Sequence, residues 1–265
     1  MSIIALLTDF GLIDTYVGIV KAVILNINPK AEIVDITHQV LRGNINQGAF
    51  LLLKSFKFFP KCTIFLGIVD PGVGSSRYPI AIKTKNYYFV GPDNGILSLA
   101  AKEDGIEKIV VLENKKYFLK NISSTFHGRD IFAPSCAYIS KGQPIENFGR
   151  EIKKIKEVKI PLPKITKNTL YAQILYGDIF GNLITNLEKE VLLKFSKNKN
   201  FIATLGGKKI TKIYNFYKEA KDEELFFIEG SFGLLEISCK NKSAADFLKI
   251  KNENFFKNIV KIKCF

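Results

Sequence analysis

An alternation of short apolar strands with helical segments through the first 150 residues is the strongest constraint on the fold. Residues 3–10 (IIALLTDF), 31–37 (AEIVDIT) and 62–69 (CTIFLGIV) are brief apolar runs typical of buried parallel strands. Between them, apolar residues recur at helical spacing in segments that end at Pro29 and Pro60. This order predicts an α/β fold whose N-terminal sheet is largely parallel, with helices on both faces.

The pattern changes after residue 150. Residues 151–166 are charged, contain two prolines and show no clear helical periodicity, so they predict a linker. Beyond them, short β-type segments alternate with turn signals about every 8–12 residues, which indicates a small antiparallel β-barrel or sandwich. We therefore expect an N-terminal α/β domain over 1–157, a linker near 158–164, and a C-terminal β-barrel domain over 165–265.

Cysteine and histidine usage limits the kinds of site that the chain can carry. The four cysteines include no CxxC pair, which argues against a disulfide framework or a zinc knuckle and favours reduced thiols. Only two histidines, His38 and His127, are present, so a histidine-rich metal site is not expected. The sequence thus predicts a protein with no bound metal.

Charge and hydropathy bear on location and partners. The chain opens without a basic region ahead of its first apolar run, and no stretch of 18 or more apolar residues occurs. We therefore expect a cytoplasmic protein with no membrane contact. The net charge of +14 invites a nucleic-acid role, but the excess is mostly lysine and only four arginines are present. A solvated surface is favoured over a specific nucleic-acid groove, and a basic RNA-associated module remains an alternative.

Two polar clusters follow predicted strands of the first domain. Asp9, in TDFG, comes at the end of the first strand, where ligands bind in open α/β sheets, and could hold a ribose hydroxyl pair. The alternative is a helix N-cap. Asp70, in DPGVG, follows the third strand, and its two neighbouring glycines allow either a close ligand approach or a plain turn. Arg77 is near enough in sequence to form an ion pair with Asp70.

The segment STFHGRD is the most unusual of the first domain. It places His127 beside glycine, arginine and aspartate just before a predicted helix. An imidazole titrates near neutral pH, so His127 is a candidate proton carrier as well as an ordinary loop residue. His38, in a loop after a strand, is a weaker candidate.

Two turns of the second domain also carry polar groups. Residues 178–182 (DIFGN) predict a hairpin turn, in which Phe180 could stack on a base, Asn182 could bond its edge, and Asp178 could meet a cation. Ser231 and Glu236 surround a second glycine-bearing turn, which by local pattern is again a hairpin.

Taken in order, the motifs TDFG, VDPGVGSSR, PDNG, SSTFHGRD, DIFGN and GSFGLLEIS resemble the S-adenosyl-L-methionine (SAM) hydrolase family, also called SAM hydroxide adenosyltransferases. This family is related to halide-using fluorinases and chlorinases. The resemblance covers essentially the whole chain. It implies an N-terminal α/β domain, a small C-terminal β-barrel, and a homotrimer with active sites at subunit interfaces. The implied reaction converts SAM and water to adenosine and L-methionine, with no cofactor.

The resemblance also implies roles for individual residues. The water-activating catalytic triad falls on Asp70, Arg77 and His127. The adenosine-binding positions are Asp9, Asp70, Phe180, Asn182 and Cys239. The methionine-binding positions are Asp178, Asn182, Ser231 and Glu236. A backbone contact to adenine is implied around Cys239. This chain departs from the family there, because family members often have a small residue at that position.

Two alternatives stay open beside hydrolysis. A halide-using adenosyltransferase would lack the triad and typically carries an extra loop, which is not seen between VDPGVG and FHGRD. A non-catalytic SAM or adenosine binder is the alternative from another class, and the presence of all three triad residues favours an enzyme over it.

Overall fold

The computed structural model describes residues 2–197, 199–251, 255 and 257–265. The chain divides into two units, Met1–Lys159 and Ile160–Phe265. The first unit contains two large apolar cores and the second unit contains one. None of the described helices is long and apolar enough to cross a membrane.

The first unit alternates strands and helices. Its strands are β1 (Ile3–Thr8), β2 (Glu32–Thr37), β3 (Ile64–Ile68), β4 (Pro79–Thr84), β5 (Tyr88–Pro92) and β6 (Ile106–Val111). Its helices are α1 (Tyr16–Ile27), α2 (Ile45–Ser55), α3 (Ser98–Asp104) and α4 (Ala133–Ser140). Residues 77–84 (RYPIAIKT), 87–93 (YYFVGPD) and 106–113 (IEKIVVLE) also have the pattern of short strands. The sequence therefore predicted all six strands and α1, α2 and α4, whereas the short helix α3 was not predicted.

The six strands form one mixed sheet in the order β2-β1-β3-β5-β4-β6. The pairs β1–β2, β1–β3 and β3–β5 are parallel, whereas β4 is antiparallel to both of its neighbours. Only the short turn 85–87 joins β4 to β5, and a connection of that length can form a hairpin but not a parallel crossover. The α/β prediction is confirmed, with a sheet that is mixed at β4.

Strand β1 shows why helices cover both faces of this sheet. Alternate side chains of a strand point to opposite faces, and all of its central residues are buried. Ile4 and Leu6 join a core with residues of α1 and α4, while Ala5 and Leu7 join a second core with residues of α2 and α3. The carboxyl ends of β1 and β3 therefore emerge side by side from a sheet that is buried on both faces.

The second unit is mostly β-structure. Its strands are β7 (Lys164–Thr166), β8 (Thr169–Gly177), β9 (Leu183–Thr185), β10 (Phe201–Leu205), β11 (Lys208–Ile210), β12 (Ile213–Tyr214), β13 (Leu225–Glu229), β14 (Leu235–Cys239) and β15 (Ile259–Cys264). Its helices are α5 (Lys189–Ser196) and α6 (Ala244–Phe247). Neither helix was predicted from the sequence.

These strands pair in the order β11-β10-β15-β8-β9-β14-β13-β12, with β7 also on β8. One apolar core draws side chains from strands along the sheet, including Leu170, Ala203, Phe227 and Ile262, so the sheet curls around it. Its pairings are antiparallel except between β12 and β13. The described pairings leave β11 and β12 at opposite ends, and a closed barrel is not confirmed.

Two details of the sequence interpretation need correction. Residues 208–214 (KKITKIY) have the sequence pattern of one continuous strand but form two, because β11 pairs with β10 while β12 pairs with β13 at the other end of the sheet. The predicted linker is also more ordered than expected. Ile152 N donates to Ile109 O, Lys156 N donates to Asp93 Oδ1, and β7 pairs with β8. Backbone groups of the charged segment are thus satisfied by hydrogen bonds that its composition does not reveal.

Candidate functional site

The loop after β3 holds a buried ion pair. Arg77 Nε lies 3.1 and 3.0 Å from the two carboxylate oxygens of Asp70, and Arg77 Nη2 lies 2.5 Å from Asp70 Oδ2. Both side chains are almost fully buried, at 4% and 6% exposed. The guanidinium carbon also lies 5.4 Å from the ring centre of Phe132. A buried pair with this many charge-assisted hydrogen bonds holds both side chains in a single geometry.

His127 joins this pair through a nitrogen whose role can be assigned. Arg77 Nη2 lies 2.9 Å from His127 Nδ1. A guanidinium can only donate, so Nδ1 accepts and the proton of the neutral ring is on Nε2. Burial, followed by the positive charge of Arg77, lowers the pKa of His127, while Asp70 and Asp130 oppose that shift. The ring is therefore uncharged at neutral pH and presents an N–H donor.

Local backbone geometry brings the two loops together. Gly74 has a φ of +77°, and a Cβ there would lie 2.6 Å from the carbonyl oxygen of Ser124. Only glycine allows the DPGVG loop to approach the loop before His127 so closely. A π-helical turn over Gly128–Phe132 follows and leads into α4. Such turns are rare and are frequent at functional sites.

Asp9 lies at the end of β1, beside the same group. Its Oδ2 accepts a hydrogen bond of 2.8 Å from Gly43 N. Burial raises the pKa of Asp9, and the negative charge of Asp70 acts in the same direction. The carboxylates of Asp9 and Asp70 are therefore close enough to interact. The first unit thus brings together Asp9, Asp70, Arg77 and His127. The sequence placed Asp9 and Asp70 after predicted strands, whereas the contact with His127 is a feature of the folded chain.

An aromatic cluster connects the loops that carry these groups, and sequence reasoning missed it. The rings of Phe10, Tyr16 and Phe126 lie 5.2–6.0 Å apart, centre to centre. The guanidinium carbon of Arg129 lies 5.1 Å from the ring centre of Phe126. Phe10 belongs to the TDFG motif and Phe126 to the SSTFHGRD motif. Nothing in the sequence marks Tyr16 as their neighbour.

In the second unit, the DIFGN segment forms a tight polar turn. Asp178 Oδ1 accepts from the backbone N–H groups of Phe180 (3.0 Å) and Asn182 (2.8 Å). Asp178 Oδ2 accepts from Asn182 Nδ2 at 2.8 Å. The Phe180 side chain is 78% exposed, while Asn182 is buried. The turn therefore presents an aromatic ring to solvent beside an amide that a carboxylate holds in place.

Glu236 on β14 lies in the same polar neighbourhood. Its carboxylate packs against Gly230, where an added Cβ would overlap it. Burial, and then the charge of Asp178, raises the pKa of Glu236 to about 7. Two carboxyl groups that share one neighbourhood favour protonation of the more buried one.

Tyr217 is a pocket residue that the sequence did not reveal. A pocket of about 540 Å³ is lined by Phe180, Asn182 and Tyr217, together with Cys239, Asn241, Lys242 and Ser243. Burial raises the pKa of Tyr217, and its environment includes Asn182, Ser238 and Glu236. Tyr217 lies in a short 3-10 turn after β12, where local sequence carries no signal of a binding role.

The other two predicted positions differ in exposure. Ser231 is exposed in the turn after β13. Cys239 is 5% exposed, and its side chain belongs to the apolar core. The second unit therefore gathers Asp178, Phe180, Asn182, Glu236 and Cys239 around one face. Within the described part of the chain, no group of three or more His, Cys, Asp and Glu side chains could hold a metal ion.

Known proteins resemble this chain along most of its length. It is 37% identical over 265 residues to the (R)-S-adenosyl-L-methionine hydrolase of Methanocaldococcus jannaschii, covering 94% of this chain and 93% of that protein. A protein of the same name from Thermus thermophilus is 32% identical, covering 92% and 94%. A fluorinase from an Actinoplanes species is 27% identical, covering 72% and 74%.

The fold has a close counterpart among solved structures. An uncharacterized conserved protein from Thermotoga maritima superposes with a TM-score of 0.88 at 36% identity, covering 99% of this chain and 100% of that chain. Residues 4–149 match the N-terminal domain of the SAM hydroxide adenosyltransferases, and residues 172–256 match the C-terminal domain. This chain therefore belongs to the SAM hydroxide adenosyltransferase family.

Proposed function

We propose that the protein hydrolyses S-adenosyl-L-methionine to adenosine and L-methionine. The observation that carries this proposal is the hydrogen-bonded arrangement of Asp70, Arg77 and His127 beside Asp9 at the sheet edge. The names of the relatives support the same substrate, and their name specifies the (R) configuration at sulfur. The proposed catalytic residues are Asp70, Arg77 and His127.

The main requirement of this reaction is the correct orientation of the attacking water relative to the substrate. The water oxygen attacks C5′ of the substrate while the C5′–S⁺ bond breaks, and sulfur keeps the bonding electron pair as the neutral thioether of methionine. The water then loses a proton, so one positive charge leaves as H⁺. The sulfonium is already a good leaving group, so we propose that neither a metal nor another cofactor takes part. Correct placement of one water behind C5′ can supply much of the rate enhancement.

Two residues of the triad can hold that water, one as a hydrogen-bond acceptor and the other as a hydrogen-bond donor. The carboxylate of Asp70 can accept a water proton with a lone pair that Arg77 leaves unused. The Nε2–H of His127 can donate to the water oxygen, because Arg77 occupies Nδ1. Arg77 fixes both groups. In this scheme Asp70 is the proton acceptor and neutral His127 orients the water. The sequence suggested His127 as a proton carrier, and the scheme assigns it the orienting role instead.

The remaining polar groups fit the two ends of the substrate. We assign Asp9 and Asp70 to the adenosine ribose, and the ring of Phe180, the amide of Asn182 and the backbone of Cys239 to adenine. Tyr217, which lines the same pocket as Phe180 and Asn182, is added as a second aromatic contact. Asp178, Asn182, Ser231 and Glu236 are assigned to the methionine portion, whose ammonium group complements two carboxyl groups.

The direct test is incubation of the purified protein with each sulfonium epimer of SAM, followed by chromatographic separation of the products. We expect adenosine and methionine in equal amounts from the (R) epimer, with unchanged yield in the presence of a chelator. Formation of S-adenosylhomocysteine or methylthioadenosine alone would contradict the proposal, and so would binding without turnover.

A halide-using activity is the second candidate, supported by the more distant similarity to fluorinases. The same assay in excess chloride or fluoride distinguishes the two. We expect adenosine to remain the main product. A 5′-halo-5′-deoxyadenosine as the main product would favour the alternative.

We extend the proposal to a cytoplasmic homotrimer. The four free cysteines fit a reducing compartment. A ring of three copies closes head-to-tail contacts, with the first unit of one copy supplying Asp70 and the second unit of the next supplying Asn182. Solution mass should then be three times the chain mass of 29.9 kDa.

Mixed oligomers test the shared site. We expect His127→Ala and Asn182→Ala to be inactive separately and to regain a fraction of activity when unfolded together and refolded, because some pairings unite two intact halves. Each variant refolded by itself is the control. Mixed trimers that form and stay inactive would place both halves of the site in one copy.

A further inference from the structure

His38 is a buried histidine to which the proposed mechanism gives no role. It is 4% exposed and lies directly after β2. Its Nδ1 lies 2.8 Å from the hydroxyl oxygen of Thr8, which is itself buried at the end of β1. The histidine therefore contacts the residue immediately before Asp9.

The Thr8 hydroxyl and the backbone around it secure the loop that carries Asp9. Thr8 Oγ1 accepts from Phe10 N at 3.2 Å, which closes a turn around Asp9. Gly11 N donates to the carbonyl oxygen of His38 at 2.8 Å, and Val40 N donates to that of Thr8 at 3.3 Å. The loop 8–11 is thus attached to the loop 38–40 through both side-chain and backbone contacts.

The surroundings of the ring determine where its proton is. Nε2 lies 3.1 Å from Asp35 Oδ1, a close electrostatic contact without the alignment of a hydrogen bond. A carboxylate oxygen repels a nitrogen lone pair, so Nε2 carries hydrogen and Nδ1 of the neutral ring accepts from Thr8. Asp35 is held in turn by Lys21 Nζ at 2.6 Å. The Thr8 hydroxyl therefore donates to His38 and accepts from Phe10, which determines its orientation.

We propose that His38 is a positioning residue that, through the Thr8 hydroxyl, holds the 8–11 loop so that Asp9 meets the ribose hydroxyl pair of the nucleoside. This rests on the proposed function, since it takes adenosine as the ligand. Asp9 Oδ2 is occupied by Gly43 N. The remaining oxygen, Oδ1, is the acceptor whose direction the loop conformation sets.

The test compares adenosine, 2′-deoxyadenosine and L-methionine by titration calorimetry on the full chain. Wild type should bind adenosine about tenfold more tightly than 2′-deoxyadenosine, the scale of one hydrogen bond to a charged group. In Thr8→Val and His38→Phe this ratio should fall toward one, with methionine affinity unchanged. Thr8→Ser keeps the hydroxyl and should retain the ratio. The matched control Lys21→Met, which removes only the ion pair with Asp35, should also retain it.

The outcomes separate the two proposals. Wild-type discrimination in a folded Thr8→Val variant would overturn the role of His38 while leaving the proposed function standing. An equal loss of affinity for adenosine, 2′-deoxyadenosine and methionine would show a purely structural role and also overturn it. A wild-type protein that binds neither SAM nor adenosine would overturn both. If His38→Phe does not fold, the Thr8→Val and Thr8→Ser pair still decides.

Discussion

Replacing Asp70 or His127 with alanine is expected to lower kcat by on the order of 10²-fold or more, the scale of lost assistance to a positioned nucleophile. In His127→Ala, Arg77 Nη2 loses one of its two acceptors and keeps Asp70, while the water loses its donor. In Asp70→Ala, the buried guanidinium of Arg77 loses its counter-ion, and the water loses its acceptor. Single-turnover hydrolysis of SAM measures the chemical step, and methionine binding should change little.

The His127→Gln variant distinguishes the two roles that an imidazole could have. Glutamine can place an N–H near the position of Nε2 but cannot take up a proton near neutral pH. If His127 orients water, His127→Gln should retain clearly more activity than His127→Ala. Wild-type activity should fall only as the pH drops through the lowered pKa of His127, below the usual histidine range.

The exposed Arg150–Glu113 pair provides the matched control for this ion pair. Glu113→Gln should leave kcat unchanged, because that carboxylate lies on the surface. Near wild-type turnover in both Asp70→Ala and His127→Ala would remove these two residues from the mechanism.

Glu236 is expected to make the stability of the unliganded protein depend on pH. Burial and Asp178 raise its pKa from 4.5 to about 7 in the folded state. The fold therefore binds more protons than the unfolded chain between these values. The resulting stabilisation is fully present below pH 4.5 and is lost as the pH rises through 7, by at most about 3 kcal/mol. Glu236→Gln keeps the shape of the side chain and removes this dependence.

Urea unfolding of wild type and Glu236→Gln between pH 5 and 8.5 measures the effect. We expect the variant to gain stability relative to wild type as pH rises, with the difference reaching a plateau above pH 7. Asp9 and Asp93 also have pKa values raised by burial, so the difference between the two proteins isolates Glu236. Glu229→Gln, at an exposed neighbouring position, is the control. A difference that does not vary with pH would show that Glu236 is ionised throughout.

Substrate binding is also expected to change the protonation of Glu236. The ammonium group of methionine favours an ionised Glu236, so binding near pH 7 should release protons in wild type but not in Glu236→Gln. Calorimetry in buffers of different ionisation enthalpy detects this release. The nearby carboxyl groups of Asp178 and Glu236 thus account both for the raised pKa of Glu236 in the unliganded protein and for the proposed binding of a positively charged ammonium group.

Hydrophobic periodicity and turn residues in the sequence predicted the strands of the first unit and its helices other than α3, because these patterns are local properties of consecutive residues. The apolar run at β1 ends at Thr8, and parallel strands present their carboxyl ends at one edge. By that rule, Asp9 and Asp70 each follow the carboxyl end of a strand, where ligands bind in such sheets. The ordered set of motifs likewise identified the family, because each motif stands in the printed sequence.

Tertiary structure decided everything that depends on residues far apart in the chain. It determined that Arg77 bonds Asp70 and His127 at once, that Nδ1 of His127 is an acceptor, and that His38 reaches Thr8 across 30 positions. It also placed Tyr217 beside Asn182 and split residues 208–214 between opposite ends of a sheet. Local sequence could not show these features, because burial, hydrogen-bond direction and shifted pKa values arise from neighbours that only the folded chain brings into contact.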